Sequence, residues 1–478
     1  MKKSIIGTYC IIGVILEVMA YLLVGRTEAK LTYIMMCVAI PISLAFIFYI
    51  YRSYERVLLG TYLMVPLMPM LGYVILRMGL LNYQWVYYVG VYLLITVLLF
   101  KNGLKNKFSF KNIKCKEKPI KILLLILLII SCIMAFDKRL SFMIILLSFI
   151  PFILLNLVVM GSEIENKNLF YEKILIAITV GALVSMIPDF IYYVGCLVMG
   201  TKSKIFGPIG SNSSLSYILI LFPITLSKWG NEKRLKNKWS LLVICFSISL
   251  AFQESRGALI AVICIFVMYM IFDFKNILRY LCVAIIVVGC MLYNVNDRAD
   301  VSADDSLNIL ENVVVGNEKL SDTNNSLEEV IYNIIDRQSQ SRQLLWKSAV
   351  KMTEDYPLTG VGIGNYRYFF KEYSGSDRDY AEAHSILLSM SSEIGLPFMI
   401  LCFIYILWMM FSALYHYFKS KDWNLKRKYV SIGVLLTAFL VFGNITGISL
   451  QVTHEIYSFT VTFVILFIFM FRDNLETF

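Results

Sequence analysis

The chain has 478 residues, 58% of them hydrophobic, and a mean hydropathy of +0.71, values that exclude an ordinary soluble globular protein. Its formal net charge of +11 would suit a nucleic-acid binder, but the lysines and arginines fall in short stretches between apolar runs. That is the charge distribution of a polytopic membrane protein, and it implies no nucleic-acid partner.

The chain opens with Lys2 and Lys3 before an apolar run from Ile5 to Val24, too long for a signal-peptide core and without a small-residue cleavage site after it, so a retained first span is expected. Apolar runs bounded by charges then predict spans at 31–51, 57–76, 84–100, 120–136, 140–160, 174–199, 213–227, 239–252, 257–272, 276–293, 394–417, 429–448 and 456–471. The expected fold is all-α, with about 12 to 14 transmembrane helices. All ten cysteines except Cys115 lie in or at the edge of apolar runs, which predicts neither a disulfide framework nor a cysteine metal site.

The stretches Lys101–Lys121, Lys228–Lys238 and Lys419–Lys428 are dense in Lys and Arg and are expected to face the cytoplasm, separated by even numbers of spans. Both termini then lie inside. The same parity places outside the 201–212 loop, the turn Gln253-Glu254-Ser255-Arg256, the long loop from Asn294 to about Ala383, and Asp137-Lys138-Arg139 despite its positive charge. Four segments follow: N-terminal helices over 1–200, helices with an outer hairpin over 201–293, a large extracytoplasmic loop over 294–393, and C-terminal helices over 394–478.

The loop changes character along its length. From Asp297 to Asp336 it is acidic and rich in Ser, Asn and Asp, the composition of a flexible or lightly structured insert. It then turns basic and aromatic, with Arg337, Arg342, Lys347, Lys351, Tyr366, Arg367, Tyr368 and Phe369, which suits an anionic, sugar-bearing ligand. Arg342, Leu345, Trp346, Ala349 and Met352 fall on one face of a helix over 341–354 that Pro357 ends. An arginine on that face either snorkels to water or aims its guanidinium at a phosphate or carboxylate.

The glycines of Gly360-Val361-Gly362-Ile363-Gly364-Asn365 alternate and lack a strand-turn-helix setting, so they predict a tight turn with close backbone approach and no dinucleotide site. His384, one of three histidines, is expected to open a helix that runs into the next span, as either an interfacial structural residue or a catalytic one. His416 abuts a basic stretch and His454 stands beside Glu455; no two histidines have metal-ligand spacing, and no metal is expected. Arg256 sits between two apolar runs of barely spanning length, either an interfacial anchor or a functional charge. The loop Phe206–Ser214 is small and polar and could present backbone N–H groups and Asn212 to a ligand.

Taken in order, Ser255-Arg256-Gly257, Arg342 with Trp346, Pro357-Leu358-Thr359-Gly360-Val361-Gly362, Ala383-His384-Ser385 and Glu393-Ile394-Gly395-Leu396 resemble the O-antigen ligase and Wzy-type O-antigen or capsular polysaccharide polymerase family over about residues 205–400. The resemblance implies a GT-C-like glycosyltransferase of the cytoplasmic membrane that uses no cofactor. Such an enzyme transfers a glycan from undecaprenyl diphosphate to an acceptor hydroxyl at the outer face. By position, Arg256 and Arg342 would engage the diphosphate and His384 would activate or position the acceptor. Asn212, Trp346, Gly362 and Arg367 are further candidate substrate contacts. One departure is Ser385, where the family often has Asn.

The chemistry agrees with these residue types. Cleaving a sugar C1–diphosphate bond builds negative charge on the leaving group, which fixed guanidinium groups stabilise by about 3 kcal/mol each. A neutral imidazole accepting the hydroxyl proton contributes about 10² to 10⁴ in rate. Direct displacement inverts the anomeric centre. Richness in Lys, Ile and Asn fits an AT-rich genome in which a lipopolysaccharide acceptor is not expected, which favours polymerase over ligase. A flippase, the rival from another class, should have short loops and charges along its spans, whereas here Glu17, Asp189 and Arg77 are the few such charges. A flippase and a chain-length regulator are implied as partners.

Overall fold

The computed structural model describes residues 54–64, 118–145, 167–185, 211–232, 237–293 except Glu254, 342–375, 383–447, 452–453 and 456–457, with isolated positions between them. The spans expected at 5–24, 31–51 and 84–100, the acidic insert, Arg337 and His454 lie outside these residues. Nearly everything described is helical: α1 Tyr54–Met64, α2 Lys118–Met134, α3 Lys138–Ile144, α4 Lys167–Ser185, α5 Ser211–Asn231, α6 Lys238–Ala251 and α7 Arg256–Phe272. There follow α8 Phe274–Tyr293, α9 over 342–355, α10 Tyr366–Ser374, α11 Ile386–Glu393, α12 Leu396–Lys419 and α13 Trp423–Phe442, which ends in a wide turn at Gly443–Gly447. A two-residue antiparallel pairing sets Val452 opposite Tyr457 and Thr453 opposite Ile456.

Among the described residues three helices are long and apolar enough to cross a membrane, Phe274–Tyr293, Leu396–Lys419 and Trp423–Ile445. They expose large apolar side chains such as Leu278, Ile285, Phe411 and Phe418, as helices facing lipid do. The chain is an all-α membrane protein. The runs 239–252 and 257–272 form two separate helices, α6 and α7, because Ser255 accepts the N–H of Ala258 and caps the second one. In the expected 206–214 loop, residues 211–214 already belong to α5.

The chain divides into two compact units, one of residues 1–125, 139–222 and 449–478, the other of 126–138 and 223–448. In the first, α1 packs on α4 so closely that a Cβ at Gly181 would stand 2.2 Å from the Leu63 carbonyl oxygen. Lys173 and Glu55 form an ion pair at the solvent-exposed edge of this contact.

The second unit is organised by a buried carboxylate. Asp273, fully buried after α7, accepts hydrogen bonds from Arg427 Nε at 3.0 Å, Trp423 Nε1 at 3.1 Å, Tyr280 OH at 2.6 Å and Asn276 Nδ2 at 3.0 Å. Arg427 also donates to Asn231, and Tyr269 donates to Ser431 Oγ at 3.3 Å. These bonds make α7 and α13 antiparallel and fix their register. Arg256 lies seventeen residues before Asp273, and Asn444 lies seventeen residues after Arg427, so the first turn of α7 is level with the Gly443–Gly447 turn. That turn packs against α7.

Breaking a buried pair leaves its partner charge uncompensated, at about 3 to 5 kcal/mol, whereas one lost hydrogen bond costs about 1 kcal/mol. Arg427→Met should therefore lower the thermal unfolding midpoint of the detergent-solubilised protein well below that of Tyr280→Phe; equal midpoints would contradict this role for Asp273.

Candidate active site

The polar segment from 342 to 394 has a small core of its own. Leu345, Ala349 and Met352 on α9 pack with Val361, Tyr366, Phe370 and Ala383, and Tyr366 OH donates to the Leu345 carbonyl at 2.8 Å. The expected apolar face of α9 is thus present except at Trp346, which is 37% exposed. Arg342, at the described start of α9, is half-buried and donates through Nη1 to the Ile445 carbonyl at 2.5 Å. Burial lowers the pKa of this guanidinium, but arginine starts so high that the side chain keeps its charge at neutral pH.

The glycine turn is a docking device. Gly360, Gly362 and Gly364 have φ of +63°, +98° and +84°, and a Cβ at Gly362 would stand 2.2 Å from the Ala135 Cβ. Val361 N donates to Ser392 O at 2.8 Å, Gly362 N to Glu393 O at 2.9 Å, and Gly364 N to the buried Glu393 carboxylate at 3.2 Å. Gly362 therefore has its N–H and its open face taken up by the fold.

The residues after α2 close the same turn from another side. Phe136 N donates to Val361 O at 3.2 Å, Asp137 N to Asn365 Oδ1 at 2.8 Å, and Ser131 Oγ to Glu393 O at 3.0 Å. Phe136 also packs on Tyr368 and Phe369. Asp137 thus sits on the same side as the 357–375 segment.

His384 does not open a continuous helix into the next span. It precedes the eight-residue α11, and Gly395, with φ of +106°, separates α11 from α12. A side chain at Gly395 would collide with the Leu358 carbonyl at 2.3 Å, so the break is where α9's following turn crosses the chain. His384 itself has φ of +52°, a left-handed conformation costly for a residue with a side chain. Ser385 caps α11 by accepting the N–H of Leu388, and its hydroxyl donates to Asn444 Oδ1 at 2.9 Å; Leu387 N reaches the same oxygen at 3.2 Å.

Three of the residues singled out in the sequence thus gather around one turn. Ile445 holds Arg342, Asn444 holds the residue after His384, and Arg256 is level with both by the register of α7 and α13. Arg256 is the first residue of a 17-residue helix, so its charge adds to the positive end of the helix dipole, and α11 points its own N-terminus at the same turn. Such an arrangement favours an anion. Arg367 is half-buried on α10, and its Nε has no hydrogen-bond partner among the described residues. Asn212 lies in the other unit, and its side chain is outside the described residues. Asn444 was not among the residues singled out in the sequence, and its one signal was an amide inside an apolar run.

Residues 241–403 match the family model described as O-antigen ligase, a family of glycosyl-transfer-related enzymes. The match includes Arg256, Arg342 and His384 and ends before Asn444. No curated protein matches the chain.

A Cβ on Gly362 would collide with backbone and be strained at its φ, whereas at Gly375, with φ of +66°, it would meet nothing within 4 Å. Gly375→Ala should cost only the backbone penalty of about 1 kcal/mol, and Gly362→Ala distinctly more. Comparing the two unfolding midpoints in detergent checks this.

Proposed function

We propose that the protein is a polysaccharide polymerase that joins polyprenyl-diphosphate-linked repeat units at the outer face of the cytoplasmic membrane, by metal-independent inverting transfer. The observation that supports this most is the gathering of Arg342, the His384 loop and the first turn of α7 around Gly443–Gly447.

In this reading the donor diphosphate lies between Arg256 and Arg342. Arg342 donates to a neutral carbonyl, an acceptor that a phosphate oxygen can replace with a stronger charge-assisted bond. The acceptor hydroxyl attacks C1 of the donor sugar, the C1–O bond to the diphosphate breaks, and the electron pair leaves with the diphosphate. His384 takes the hydroxyl proton as the new bond forms. The two guanidinium groups are most valuable as the leaving group gains charge, which is where catalysis requires them. A diphosphate needs no general acid to depart.

The family description favours a second reading, transfer of a finished glycan to a different acceptor as in O-antigen ligase. Both predict that His384→Ala, Arg342→Ala and Arg256→Ala lose at least about 100-fold of transfer activity. The variants would be expressed in a host lacking this protein and the surface and lipid-linked glycans separated on a gel. Single repeat units support the polymerase, long chains retained on the lipid carrier support the ligase, and unchanged surface polymer in all three variants refutes the site.

A further inference from the structure

We propose that Asn444 is a positioning residue for this transfer, holding His384 in its working conformation through Ser385. The inference rests on the reading of His384 as the residue that handles the acceptor, and it adds a group outside the family-matched segment.

Every polar atom of the Asn444 side chain is committed. Its Oδ1 accepts from Ser385 Oγ at 2.9 Å and from Leu387 N at 3.2 Å, and its Nδ2 donates to the Leu440 carbonyl at 2.8 Å. The last bond anchors the amide to the end of α13, so its oxygen presents a fixed acceptor to the first turn of α11. That turn has amide groups without helical partners, and Asn444 satisfies one of them while Ser385 caps another.

The consequence reaches His384 because of its backbone. A left-handed conformation at a non-glycine residue persists only where its surroundings enforce it. Ser385, the next residue, is extended at φ of −148°, and its hydroxyl is tied both to Leu388 N and to Asn444. Removing the Asn444 acceptor frees Ser385 on one side and lets His384 relax toward the right-handed region, which swings the imidazole. Misplacing a reacting group by about 1 Å costs on the order of 100-fold in rate. The neighbouring Ile445 carbonyl holds Arg342, so one turn sets both the group for the leaving side and the group for the attacking side.

The test uses the full-length protein in nanodiscs. The donor is the polyprenyl-diphosphate-linked glycan extracted from membranes of a host lacking this protein. Asn444→Leu, which keeps the volume and loses the acceptor, should lower kcat by about 10- to 100-fold with the donor KM within about twofold of the parent. Asn444→Asp retains an acceptor oxygen for Ser385 but loses the donor to the Leu440 carbonyl, and should recover part of that loss. Asn444→Leu should cost less in a Ser385→Ala background than alone, since both act on one path.

Parental kcat for Asn444→Leu alongside an inactive His384→Ala overturns this inference and leaves the proposed site standing. Parental turnover in both variants overturns both. A fall in activity that Asn444→Asp does not rescue, or that follows a lowered unfolding midpoint, also overturns it, because the amide would then be only structural. Asn444→Ser carries the same criteria where Asn444→Leu does not accumulate in the membrane.

Discussion

Within the second unit the geometry hangs on the ion pair between Asp273 and Arg427, because a charge deep among helices has very few ways of being satisfied. Both groups are buried, and the carboxylate is met by four donors from α8 and α13. A slip of α13 along α7 by one turn would strand the arginine and the aspartate together, at a cost of several kcal/mol for each. The register is therefore held tightly, about seventeen residues away from the turn where it matters. There it brings the N-terminus of α7, with Arg256, beside the C-terminal turn of α13.

The second constraint is the glycine turn. Its three left-handed glycines let the chain from α9 lie on the last residues of α11, and the N–H groups it presents are taken by Ser392, Glu393 and the Glu393 carboxylate. With α9 and α10 sharing a small apolar core, this fixes Arg342 relative to the His384 loop before either reaches Gly443–Gly447. The membrane helices and the polar segment thus each deliver part of the site. They meet at two consecutive residues, Asn444 and Ile445.

Much of this was readable in the residues and some was not. The helix bearing Arg342 follows from apolar spacing, since Leu345, Ala349 and Met352 recur at helical intervals, and the close approach at the glycines follows from their alternation. Trp346 shares that spacing yet stays half open, because periodicity shows which face an element presents and not how far the partner surface extends. Asp273 and Arg427 stand at the ends of apolar runs, where no local pattern marks each as the other's buried partner across 154 residues. The break at Gly395 was hidden in the same way, because a glycine before a proline-containing span fits a helix start as well as a crossing point.

Composition, apolar periodicity and the spacing of charged residues determined by themselves that this is a helical membrane protein and that a polar segment stands late in the chain, and they marked Arg256, Arg342 and His384 as candidate site residues. These are local properties, fixed by the lengths of apolar runs and by the cost of placing charge in lipid. Tertiary structure alone decided that the three residues share one helix end, that Asp137 lies against the glycine turn, and that Asn444 stands behind His384. Each of those is a contact between residues far apart in sequence, set by how hydrogen-bond partners are found once helices pack, and no local pattern encodes that choice.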